Sequence, residues 1–137
     1  MTAFDIEVAL NSRLEELRQE FPIDIAYTAI NYEPVVGTPH VIPDFIPATS
    51  ASDIIGINAK NRITGLFQIR VRVPSLEGKG LAKMWVERLH DYFKRGTGIE
   101  LNGVHVRVTR FRVFDFDDDR VWLTQVVRVE FRSDIDN

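Results

Sequence analysis

At 137 residues, with 45% hydrophobic and 27% charged side chains, the chain has the makeup of one globular domain long enough to bury a core. It has no cysteine, which removes disulfides, thiolate metal sites and cysteine nucleophiles together. Its net charge of −3 argues against a general nucleic-acid binder, whose domains carry a clear basic excess, and no apolar run approaches the roughly 18 residues of a membrane span.

The amino-terminal MTAFDIEVAL lacks a basic stretch followed by an apolar one, so no secretion signal is expected. Residues 1–137 read as a single soluble, intracellular domain. Residues 4–20 have a helical period: Ile6, Leu10, Leu14 and Leu17 share a stripe, with Asn11, Ser12 and Glu15 opposite. Thr2 suits an N-cap and Pro22 ends the helix. Residues 23–32, IDIAYTAINY, are rich in β-branched and aromatic side chains and read as the first strand. An extended proline-rich arm or loop follows at about 33–65, holding Pro34, Pro39, Pro43 and Pro47. Such proline density forbids a helix or a central strand, and leaves VIPDFIPA as a candidate edge strand.

LFQIRVRV, residues 66–73, alternates Phe67, Ile69, Val71 and Val73 against Gln68, Arg70 and Arg72, as a strand buried on one face does. A second helix is expected from about 79 to 94, with Leu81, Trp85, Leu89 and Phe93 on its core stripe. Lys94 and Arg95 suit the negative end of the helix dipole, and Gly96 suits a left-handed cap. Asn102-Gly103 marks a tight hairpin. The strand after it continues to about Phe114. Its valines Val104, Val106 and Val108 share one parity, whereas Phe111 and Val113 have the other, so a bulge or face switch is expected near Thr109-Arg110. Residues 121–131 form the last strand, with Gln125 interrupting an apolar face. The order αβ(β)βαβββ gives an α+β protein in which a mainly antiparallel β-sheet packs against two helices.

Between the last two strands lies FDFDDDR, with Asp115, Asp117, Asp118 and Asp119 in five positions. The spacing of Asp115, Asp117 and Asp119 resembles the start of a calcium loop. That motif needs glycine at its sixth position and a bidentate glutamate at its twelfth, where this chain has Arg120 and Val126. The three aspartates remain weak candidates for a divalent metal, in a solvated hairpin tip or in a small metal-dependent enzyme. His40, His90 and His105, placed in a loop, a helix and a strand, lack zinc-site spacing, and GKG at 78–80 lacks the rest of a phosphate-binding loop. No cofactor is expected, and no enzyme. Arg70, Arg72, Arg107, Arg110, Arg112, Arg128 and Arg132 could share a sheet face. That face is either solvated, a nucleic-acid platform, or a protein-binding surface.

Three stretches in order, INYEPVVGTPHVIPDFIPA, RITGLFQIRVRVPSLEGKGLAKMWVERLHDYF and RGTGIELNGVHVRV, resemble the tail terminator proteins of tailed bacteriophages and prophages, of the lambda type. Gly65-Leu66-Phe67-Gln68, Val73-Pro74 and Arg95-Gly96-Thr97 carry most of the likeness, which runs from about 25 to 132. The resemblance implies a structural virion protein, made in the host cytoplasm. It would form a hexameric ring of identical subunits that caps the tail tube protein and joins it to the head–tail connector protein, in a neck through which genome DNA passes. Another neck or head-closure component is the neighbouring reading. No sequence-specific nucleic-acid binding and no membrane association are implied. Arg70, Arg72, Arg110, Arg112, Asp117, Asp118 and Asp119 are the interface candidates; the aspartates could face a neighbouring subunit or the bore of the ring.

Overall fold

A computed structural model of the chain describes residues 3–27, 38–47 and 61–135. Helix α1 (Ala3–Glu20) and helix α2 (Gly78–Phe93) accompany six strands: β1 (Asp24–Ile25), β2 (His40–Pro47), β3 (Asn61–Pro74), β4 (Gly98–Leu101), β5 (Val104–Asp118) and β6 (Trp122–Ile135). The sheet order is β1-β2-β3-β6-β5-β4. Only the two-residue β1–β2 pairing is parallel. The expected α+β class and the antiparallel bias both hold.

The helical stripes predicted from spacing bury, except that Leu81 of α2 is only half-buried and Trp85 nearly enclosed. Ile6, Leu10, Leu14 and Leu17 of α1 and Leu89 and Phe93 of α2 are fully enclosed, against Phe67, Ile69, Val71, Val127 and Val129 of the sheet. One core therefore fills the space between a helical layer and one sheet face. Cation–π contacts fasten the layer together. The Arg88 guanidinium lies 4.1 Å from the Phe21 ring centroid and 4.6 Å from that of Trp85. Arg13 sits over Tyr92 and donates to its carbonyl, while the Tyr92 hydroxyl donates to Glu20.

Several elements differ from the sequence expectation. Strand β1 covers only Asp24–Ile25; Ala26 N–H still bonds Val41 O, and Tyr27 donates its hydroxyl to Glu15 of α1, while residues 28–32 of the expected strand lie outside the described residues. Within the proline-rich excursion, His40–Pro47 is a strand with only Pro39 and Thr38 described before it. Strand β3 begins at Asn61, ahead of the expected 66, since β6 is long enough to pair with it as far as Ile135. Strand β5 runs past Phe114 to Asp118, so three of the four clustered aspartates are strand residues.

Strand β5 contains two inserted residues, the first of which resolves its parity conflict. Val108 pairs with Phe131 and Arg110 with Glu130, so one residue is added there, at the expected place. A second is added between Val113, opposite Val127, and Phe116, opposite Gln125. Each irregularity is stitched by a polar side chain. Thr109 donates to Glu130 O at 3.1 Å, and Gln125 Nε2 donates to Phe114 O at 3.1 Å. The polar interruption in the last strand is thus the partner of a bulge carbonyl.

Two variants check this construction. Phe67→Ala should destabilise the chain by about 3–5 kcal/mol in urea unfolding, the range for emptying a fully enclosed phenylalanine site. Gln125→Leu should leave the Phe114 carbonyl without its donor, and amide hydrogen exchange should quicken at 114–117 while staying unchanged at 104–108.

Candidate functional site

The strand pairings decide where the arginines go. Phe67, opposite Val129, faces the helices, so Gln68, Arg70 and Arg72 of β3 face away from them. Arg128 and Arg132 of β6 lie on the same outer face, opposite Gln68 and Thr64. In β5, Arg107 reaches that face before the first bulge, and Arg110 and Arg112 reach it only because of the bulge. All seven arginines noted in the sequence therefore share the outer face of three adjacent strands.

Carboxylates answer few of these charges among the described residues. Arg70 lies 3.8 Å from Asp44, and Arg110 3.7 Å from Glu130. Both pairs are half-exposed, a setting in which ion pairs contribute little. Arg107 stands directly opposite Arg132, and Arg112 directly opposite Arg128. Like charges in cross-strand register are destabilising. Neutral groups hold the Arg112–Arg128 pair instead, and Arg107 reaches the Gly96 carbonyl at 3.4 Å. The Phe114 ring has Arg128 at 4.6 Å and Arg112 at 5.3 Å, and Arg128 Nε donates to Gln68.

Trp122 closes one end of this face. It is nearly buried, covered by Arg72 at 5.1 Å and touched edge-on by the His40 ring at 4.8 Å. The sequence placed His40 in a loop; it instead opens β2 and is fully enclosed. Burial, the largest influence, pushes its pKa below the ordinary 6.5, and Arg72 adds to the effect. Among the described residues, the aromatics of this face, Trp122 and Phe114, are engaged with arginines and offer no free platform for stacked bases.

The aspartates do not converge. Asp117 faces outward opposite Thr124, while Asp118 falls on the other parity, opposite Leu123. Asp118 accepts from Ser75 Oγ and from Arg120 N–H, both at 2.8 Å. Asp119 accepts from Val121 N–H at 2.9 Å and Trp122 N–H at 2.6 Å. Those two amides hold the Asp119 carboxyl below its usual range. Asp118 and Asp119 are therefore turn-forming groups, as short acidic side chains often are, and Arg120 takes the left-handed conformation at φ 76°. Asp115 and Asp117 are exposed, and no described residue bonds their carboxylates. Among the described residues, no three of His, Asp and Glu gather where they could hold a metal ion. The acidic cluster, among the described residues, is built as a hairpin turn and not as a metal centre.

Among the described residues, the feature that stands out is an arginine-bearing sheet face of the kind that proteins present to other proteins. Similarity to known proteins points the same way. The sequence matches the phage tail terminator protein family over residues 5–131, and the chain belongs to that family: it is a structural protein of the bacteriophage tail. Five solved chains match its fold, one of them with a TM-score of 0.82 across 100% of this chain and 99% of its own, at 18% identity. No curated protein matches the sequence.

The buried histidine gives a pH prediction with a definite sign. A folded-state pKa below 6.5 means the unfolded chain binds the proton more readily. Stability is therefore full above the unfolded value and is lost as pH falls from there through the folded value. Thermal melts between neutral pH and mild acid should show this loss, and His40→Phe should flatten it across that window.

Proposed function

We propose that this protein caps the tail tube as a ring of identical subunits, most simply a hexamer, and presents the arginine face to the component through which the tail joins the head. The observation that carries this reading is the pair of arginine–arginine oppositions, Arg107 with Arg132 and Arg112 with Arg128. A sheet that keeps like charges in register against its own stability has a use for them outside the chain. An acidic protein surface is the complementary partner, since arginine's planar fork matches carboxylates in pairs. The ring itself requires complementary patches on opposite flanks of one subunit. Asp115 and Asp117 are the carboxylates free to serve there or to line the bore, because Asp118 and Asp119 are committed to the turn. In this reading the protein works without catalysis, in the virion tail and in the host cytoplasm during assembly.

Replacing Arg107 and Arg132 by glutamine separates stability from function. The double variant should unfold at equal or higher urea, by up to about 1 kcal/mol, because a repulsive pair is removed. It should also restore fewer joined virions when it complements a phage lacking the gene, scored by plaque count and electron microscopy of tails. Tails that reach normal length and join heads without any copy of the protein would sink the reading.

A further inference from the structure

Strand β4 covers β5 only from Val104 to Arg107, and the Gly96–Thr97 backbone covers Val108. From Thr109 to Asp118, no described residue pairs with the outward edge of β5. An edge of this length without a described partner is a template for another strand. The opposite flank is treated differently. There β1 covers only His40 and Val41 of β2, and Val41 O points outward to Ala26. Positions 43, 45 and 47 share that outward direction, and two of them are prolines without an N–H. Among the described residues, one flank is blunted and the other is open.

The open edge reads Arg110-Phe111-Arg112-Val113-Phe114-Asp115-Phe116-Asp117. This segment is complementary to itself when reversed. We propose that the β5 edge pairs antiparallel with the same edge of a second copy, on a two-fold axis through Val113. The register follows from the second bulge, where Phe114 and Asp115 together stand opposite the single Val126. Arg112 then faces the Phe114–Asp115 pair of the other copy, Phe111 faces Phe116, and Arg110 faces Asp117. Every opposed set shares a sheet face: Arg110, Arg112 and Asp117 on the outer one, Phe111, Val113 and Phe116 on the helix side. Without the bulge the two halves would meet out of phase. Val113, 47% exposed in the single chain, is covered by its own copy at the axis. The ends fit as well. The edge is already filled at Val108, so the Asp118–Asp119 end of one copy abuts the exposed Lys94–Arg95 turn of the other.

A two-fold contact closes on itself and does not build a ring, so this pairing takes Asp115 and Asp117 away from the ring flank and the bore. The capping reading rests on Arg107 and Arg132, which the pairing leaves untouched, and is tested independently of it. The test is sedimentation and native mass spectrometry of four forms: the wild type, Arg110→Asp with Arg112→Asp, Asp115→Arg with Asp117→Arg, and the fourfold exchange. Wild type should dimerise. Each double variant should weaken the dimer roughly tenfold or more, since paired charges become repelling ones. An equimolar mixture of the two doubles, and the fourfold exchange alone, should recover it. Unchanged circular dichroism confirms that each form is folded. A wild type that stays monomeric at every concentration overturns the proposal. A hexamer indifferent to all the exchanges also overturns it while supporting the ring. Lost head joining in the doubles, without any change in mass, would overturn it too and assign the edge to a strand of a different protein.

Discussion

The structure turns on the two-residue period of a single strand. Side chains on a strand alternate between faces without exception, so β5 can bury Val104, Val106 and Val108 and then Phe111 only if one residue is inserted between the two sets. The insertion at Thr109 keeps Phe111 toward the helices, where it meets the edge of the His90 ring at 5.0 Å. It also carries Arg110 and Arg112 outward. In an unbulged strand of the same sequence, those arginines would point into the core. The basic outer face is therefore a consequence of the same backbone irregularity that completes the core.

The second insertion has the same logic and a different result. It returns Phe116 to the helix side, where Lys79 at the start of α2 lies 5.4 Å from its ring, and it releases a carbonyl that Gln125 reaches from the neighbouring strand. It also separates Asp115 from the strict alternation that a row of metal ligands would need. What resembles the first half of a calcium loop is thereby converted into one bulge residue, two strand residues and a turn. The carboxylates of that turn hold backbone amides in place of an ion.

Charge on the outer face is organised against local stability and in favour of a surface. The opposed Arg112 and Arg128 are spaced by the Phe114 ring, and Gln68 holds Arg128, neither of which neutralises a guanidinium. The charge stays on the groups that carry it. Edge chemistry is asymmetric in the same spirit. Prolines remove outward donors from β2, while β5 keeps a proline-free edge with arginines in one half and aspartates in the other. A tail protein must join particular neighbours in a particular order, and surfaces that differ from flank to flank make such discrimination achievable.

Much of this architecture is legible in the amino-acid sequence. Helical and strand periods locate both helices, the buried stripes and the sheet class, because burial acts on every third or fourth residue of a helix and every second residue of a strand. The parity break in β5 announces the first bulge. Ordered motifs from Ile30 to Val108 resemble the tail terminator family. Tertiary structure alone decides the rest. The second bulge is hidden because phenylalanine and aspartate alternate through it without a visible break. His40 looks like a loop residue because its burial comes from Trp122, on a strand distant in the chain. The fate of the aspartates depends on backbone amides that only the closed hairpin presents. Sequence determines which side chains must be buried; the pairing of distant strands determines which of the remaining ones end up side by side.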